Sequence, residues 1–158
     1  MNIKTRLTNY FRASFPGVAI QTTEEARVMA DIIEAAKAVK RGVVVWSATT
    51  GMRHVFPKVA KIQDTDDLVP ACNQRLENTI YVLQDIHTWP FDRDPVLPRA
   101  LRDLLTWGPT KGACVVITGP EFRPHGTCEK LITVLDYSLP SKEDLQRIAE
   151  GIAESVGK

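Results

Sequence analysis

Five stretches constrain the fold most: "VAIQ" at 18–21, "VVVWSA" at 43–48, "TIYVLQ" at 79–84, "ACVVITGP" at 113–120 and "LITVLDYSL" at 131–139. They are rich in β-branched and apolar residues, and taken together they lack the apolar-polar alternation of a half-solvated sheet. Strands of that kind are covered on both faces, which implies a parallel sheet between layers of helices. Helical patterns fill the intervals. In "NIKTRLTNYFRASFPG", Ile3, Leu7, Tyr10, Phe11 and Phe15 recur at helical spacing, with Pro16 and Gly17 as the expected stop. In "TTEEARVMADIIEAAKAVKRG", the residues Ala26, Met29, Ile32, Ile33, Ala36 and Val39 form one face. Thr22 and Glu25 have capping-box spacing, and Gly42 is the expected stop.

Further helices are expected in "TDDLVPACNQRLEN", in "LPRALRDLLTWG" with Pro98 in its first turn, and in the last segment, where Ser141 and Asp144 make the cap. The stripe of that last helix is Leu145, Ile148, Ala149 and Ile152. Residues 51–63 fit either a short hairpin or a loop, and "TWPFDRDPV" reads as a loop. A chain of 158 residues, 44% apolar and 25% charged, suits one folded domain over residues 1–158. The fold class expected is a three-layer α/β sandwich on a five-stranded parallel sheet.

A net charge of +1 gives no strong footprint for nucleic acid or an anionic membrane, so neither is expected as a partner. No run approaches a membrane span. Cys72, Cys114 and Cys128 are odd in number and lack zinc-site spacing, which fits a reducing cytoplasm, with Cys114 in the core.

Ligands of open parallel sheets gather at the carboxyl ends of the strands, so the loops after Gln21, Ser47, Gln84, Thr118 and Ser138 are the expected site positions. Nucleotide hydrolysis there needs a phosphate loop of the type G-x-x-x-x-G-K-[ST] and a metal-holding acid at the end of a later strand. The loop is missing from the sequence. The first strand is followed by "TTEEAR", and Glu24 and Glu25 fall in the first helical turn, where a phosphate would meet two negative charges. The third run ends in Asp85 and His87, which fit either a base with its orienter or polar anchors of the following loop. No third metal ligand accompanies them.

The order of elements resembles the nucleotide-binding core of AAA+ ATPases. "TIYVLQDIHTW" is similar to the Walker B strand of that family, "VVITGP" stands where its sensor-1 strand stands, and "LITVLDYSLPSKEDLQRIAEGI" resembles the last core strand and the helix after it. The resemblance puts Gln84 where the magnesium-site acid belongs, Asp85 where the catalytic Glu belongs, and Gly119 near the sensor position. "TTEEARV" (Thr22, Thr23, Glu24 and Glu25 onward) stands in place of Walker A. Arg99, Arg102 and Arg123 are arginine-finger candidates by location alone. "QTTEEA", "VVWSATTG" and the D-x-H of Asp85 and His87 resemble the degenerate N-terminal domains of cyanobacterial and chloroplast-encoded AAA-type ATPases, which have bacterial and phage relatives.

The resemblance implies a strand order of 5-1-4-3-2 in chain numbering, and a place as the N-terminal part of a longer ATPase. It implies a non-catalytic role in assembly, partner or substrate recruitment, or regulation. No cofactor is then expected in this segment; ATP and magnesium belong to the parent protein, and the partner is an AAA+ ATPase domain in cis or in trans, with a protein substrate beyond it. An ATP-hydrolysing domain with non-standard motifs and a free-standing adaptor that mimics an ATPase subunit are the alternatives. Trp89 and Phe91 are the aromatics expected to be exposed; they suit an interaction loop or loop packing. Active unfoldases of the family carry an aromatic substrate-gripping loop after the second strand, and Val55 and Phe56 match its spacing poorly. Arg53, His54, Lys58 and Lys61 fit an anionic partner or a solvated loop, with His125 exposed in another loop. A receiver-like phosphoacceptor fold, with Asp85 as acceptor, lacks the Lys it needs after the fifth run.

Overall fold

The computed structural model describes residues 2–56, 65–137, 146–147 and 149–153. Helix α1 spans Ile3–Arg12, and Asn2 caps it by accepting a 2.8 Å hydrogen bond from the Thr5 N–H. Strand β1 is Gly17–Gln21, α2 is Glu25–Ala38, β2 is Gly42–Ser47 and β3 is Gly51–Phe56. Helix α3 is Leu68–Asn73, β4 is Thr79–Gln84, α4 is Val96–Trp107, β5 is Cys114–Gly119 and β6 is Ile132–Asp136.

The sheet has six strands in the order β3-β2-β4-β5-β1-β6. All neighbours are parallel except β2 and β3, which form an antiparallel hairpin. The expected all-parallel sheet of five strands in the order 5-1-4-3-2 is corrected on count and order by this added edge strand. The hairpin is local: Ser47 Oγ lies 2.6 Å from Thr50 Oγ1 and accepts the Thr50 N–H at 3.2 Å. Gly51 then turns the chain back with φ of +68°, a conformation costly for any residue with a Cβ.

The sheet is covered on both faces, as a three-layer α/β sandwich requires. Val18, Ile20, Val43, Val45, Ile80, Val82 and Val116 pack on α1 and α2. Ala19, Val44, Trp46, Tyr81, Leu83, Val115 and Ile117 pack on α3 and α4. Neighbouring residues of each strand thus enter different cores, which is why these strands show no alternation. Cys114 and Trp46 are core residues, as expected.

The helix ends differ from expectation. Helix α1 stops at Ser14, which is left-handed with φ of 55°; the Phe15 N–H reaches Tyr10 O at 3.0 Å and their rings lie 4.9 Å apart. That is a Schellman stop with its hydrophobic contact, made without glycine. Helix α2 stops the same way at Lys40, φ 59°, with the Arg41 N–H on Ala36 O at 2.9 Å. Gly42 instead opens β2, and Gly17 opens β1 where a Cβ would meet Leu105 Cδ2 at 2.6 Å. The buried stripe of α2 is Val28, Ile32, Ala35 and Ala36, with Met29, Ile33 and Val39 at its margin; Ala26 is exposed. Helix α3 is short because the chain turns extended at Gln74, where Tyr81 Oη accepts the Leu76 N–H at 2.6 Å and donates to Gln74 O. Residues 146–147 and 149–153 are helical, and Ile152 of the expected stripe is exposed. Ser138, Ser141, Asp144, Leu145 and Ile148 lie outside the described residues, as do Lys58 and Lys61.

His54, expected in an exposed loop, sits in β3 opposite Val44 with both ring nitrogens shielded and without hydrogen-bond partners among the described residues. Burial lowers its pKa below the ordinary histidine value. Below about 6.5 the unfolded chain therefore binds more protons at this site than the folded one. Stability from this group is complete above that pH and is lost as pH falls through it toward the folded pKa. His54→Leu should flatten the fall of the urea midpoint over that window and be neutral or stabilising at pH 8, since it removes two unsatisfied nitrogens. An unchanged pH dependence would contradict this placement of His54.

Candidate functional site

The carboxyl ends of β1, β4 and β5 meet in the middle of the sheet. Three residues, Thr22, Thr23 and Glu24, connect β1 to α2. The connection is tied down at both ends. The Thr22 N–H donates to Gly119 O at 2.7 Å, and Thr22 Oγ1 accepts the Glu24 N–H at 2.9 Å. The expected capping box is corrected by that bond: the Thr22 hydroxyl serves an N–H two residues on, outside the helix, and Glu24 at the N-cap makes no side-chain cap. Its carboxylate instead pairs with Arg27 Nη1 at 2.7 Å.

Arg27 continues the chain of contacts. Its guanidinium lies 4.3 Å from the centre of the Tyr137 ring, and Tyr137 Oη donates to Asp31 Oδ2 at 2.6 Å. Burial, then the bond to Asp31, pushes the Tyr137 phenol up to about 12. Gln21 joins the strand ends: its side-chain amide donates to Asp136 Oδ1 at 3.1 Å, its Oε1 accepts the Phe122 N–H at 3.4 Å, and its carbonyl accepts the Tyr137 N–H at 3.2 Å. The start of α2 is thus bound to the chain leaving β6.

Gln84 ends β4 half-buried, opposite Thr118 of β5. The Thr118 hydroxyl is buried and has no hydrogen-bond partner among the described residues. Asp85 leaves the strand in a left-handed conformation, φ 56° and ψ 35°, and a 3-10 turn follows over Ile86–Thr88. The Asp85 N–H donates to Thr118 O at 2.9 Å, and its carbonyl accepts from Thr88 Oγ1 at 2.9 Å. Asp85 and His87 converge over Gly119: a Cβ there would lie 3.2 Å from Asp85 Oδ1 and 3.1 Å from His87 Nδ1. The absence of a side chain at Gly119 is what lets both approach. Among the described residues, no three His, Cys, Asp or Glu side chains gather as a metal cluster, and no helix is long and apolar enough to cross a membrane.

Beside this pair opens a cleft of about 850 Å³, walled by residues 87–93 on one side and 121–126 on the other. Trp89 and Phe91, expected to be exposed, are half-buried and pack against the α3/α4 core. Trp89 stands edge-on to the buried Trp46, with ring centres 5.5 Å apart, and Trp46 Nε1 donates to Thr65 O at 2.9 Å. They pack as loop anchors and still line the cleft, so the two readings of these aromatics are compatible. The second wall comes from "EFRPHG", which reads from sequence only as a loop. Its one signal is an aromatic and a proline just past a strand end. His125, expected to be exposed, is half-buried there: Nδ1 is 3.1 Å from Thr127 Oγ1, and Nε2 is 3.7 Å from Asp92 Oδ1. Of the arginine-finger candidates, Arg99 pairs with Asp103, Arg102 donates to Thr127 O, and Arg123 stands on the rim of the cleft.

No curated protein matches the sequence. A family model described as the N-terminal domain of SpoVK-like AAA ATPases matches residues 3–137, which takes in every strand among the described residues and the whole of the site described above. On that match the chain belongs to the family of SpoVK-like AAA ATPase N-terminal domains.

Proposed function

We infer that this domain is a non-catalytic AAA+-like module serving assembly, partner or substrate recruitment, or regulation of an AAA+ ATPase domain, in cis or in trans. The observation that carries the reading is the connection from β1 to α2. A phosphate loop with its Lys and Ser or Thr occupies eight positions, G-x-x-x-x-G-K-[ST]. Here three residues make the crossing and Glu24 and Glu25 stand at the helix start. A triphosphate would find no lysine in this crossing and would face two carboxylates at the helix start.

Gln84 adds support, since a neutral amide at the end of β4 lacks the charge a magnesium ion favours. Asp85 and His87, folded over Gly119, close the end of β5. ATP and magnesium then act in the parent protein, of which residues 1–158 form the N-terminal part, in the cytoplasm. The residues "QTTEEA", "VVWSATTG" and D-x-H support a likeness to the degenerate domains of cyanobacterial and chloroplast AAA-type ATPases. A second reading, ATP hydrolysis with non-standard residues, draws on the strained backbone of Asp85, since strain of this kind clusters at active sites.

Titration with a fluorescent ATP analogue and magnesium separates the two. No saturable binding in the micromolar range typical of substrates is expected. Saturable, magnesium-dependent binding, with phosphate release from ATP that Asp85→Ala abolishes, would establish the second reading.

A further inference from the structure

The contacts around Tyr137 hold more than the end of one strand. Tyr137 directly follows β6, and three parts of it are engaged. Its N–H donates to Gln21 O at 3.2 Å, its hydroxyl donates to Asp31 Oδ2 at 2.6 Å, and the Arg27 guanidinium lies 4.3 Å from the centre of its ring. Arg27 and Asp31 are four apart on α2, so they share one side of the helix; one holds the ring and the other its hydroxyl. The phenol, pushed up to about 12 by burial and then by the bond to Asp31, stays a donor near neutral pH.

Arg27 has a second commitment. Its Nη1 lies 2.7 Å from Glu24 Oε2, and the Glu24 N–H donates to Thr22 Oγ1 at 2.9 Å. The Thr22 N–H in turn donates to Gly119 O at 2.7 Å. An unbroken run of contacts thus leads from Tyr137 to the crossing between β1 and α2. The ion pair in this run is partly exposed and modest alone. It gains weight because one guanidinium serves both partners. Freeing it from either one returns rotamer freedom that the other must then oppose by itself.

We propose that Tyr137 is a clasp that couples the chain leaving β6 to the crossing from β1 to α2, through Arg27 and Glu24. The two ends loosen together: displacing Tyr137 frees Arg27, and losing the Glu24 carboxylate loosens Tyr137. Such coupling is reciprocal by thermodynamic necessity. A displacement of the chain beyond β6 is therefore felt at the start of α2. Its use as a relay to an ATPase domain rests on the regulatory reading above; the coupling itself does not.

Residue-resolved amide exchange of the full chain by NMR tests it with two variants. Tyr137→Phe keeps the ring and removes the hydroxyl; Glu24→Ala removes a carboxylate that makes no helix cap. The Thr22, Glu24 and Val28 hydrogen bonds report the crossing, so in both variants the Thr22 and Val28 amides are read. The amide of residue 137 reports the exit from β6, and that of Val82, in the central strand β4, reports global unfolding. Each variant is expected to lower protection at both ends by about 5-fold beyond any change at Val82, the low end of typical coupling between sites. Arg27→Leu should cut the link, so that adding Glu24→Ala no longer alters the amide of residue 137. Loss of protection confined to the mutated end, or at neither end, overturns the proposal. So does an effect of Glu24→Ala on residue 137 that survives Arg27→Leu. None of these readouts involves nucleotide, so their failure leaves the non-catalytic reading standing, whereas MgATP binding overturns that reading and leaves the clasp in place.

Discussion

Trp46→Ala is expected to destabilise the domain by about 4 kcal/mol, the range for removing a buried tryptophan. Trp46 is fully buried in the centre of the α3/α4 core, and its indole N–H is satisfied by Thr65 O. Truncation leaves a large cavity and an unpaired carbonyl. A domain of this size loses roughly 10 °C of Tm for such a change. The effect reaches the cleft, because Trp89 leans edge-on against the ring that is lost. Urea unfolding gives the first number, and the emission of Trp89 in a Trp107→Phe background reports the second. A loss below about 1 kcal/mol would mean that the cavity collapses fully and that Trp46 is not the pivot described here.

Phe11→Ala should cost a similar amount, about 3–5 kcal/mol, through the opposite face. Phe11 is fully buried between α1 and the sheet with Leu7, Val28 and Ile32. The central sheet separates it from the cleft, so at temperatures where the variant stays folded the near-ultraviolet circular dichroism of the Trp46–Trp89 pair should match the wild type. The pair of variants distinguishes global loss of stability from local loss of the site: Trp46→Ala changes both, and Phe11→Ala changes only the first. A changed signal from that aromatic pair in folded Phe11→Ala protein would show that the two faces are coupled.

The five parallel strands were legible because burial on both faces erases alternation, as at "ACVVIT", where Cys114, Val115, Val116 and Ile117 enter the two cores by turns. The sixth strand was obscured by Arg53 and His54, which break an apolar run; the hairpin that makes it depends on Ser47, Thr50 and Gly51, a turn rather than a hydrophobic pattern. Helix stops at Ser14 and Lys40 were not legible, since both adopt the left-handed cap with a side chain in place while glycines sit nearby for other reasons. At the site, the acids after β1 and the pair Asp85 and His87 stood out as residue types at strand ends. Their meeting over Gly119 did not, because it depends on the register of β4 against β5, Gln84 opposite Thr118. The far wall of the cleft was hidden for a simpler reason: an irregular loop has no period from which its neighbours can be inferred.

Amide hydrogen exchange with and without saturating MgATP tests the central claim most directly, because it reads the start of α2 and the end of β4 separately. The account predicts unchanged exchange across residues 22–28 and 84–88. Added protection in both stretches at once would mean that a triphosphate and its cation lodge between them, and that the short acidic crossing from β1 to α2 does not keep them out.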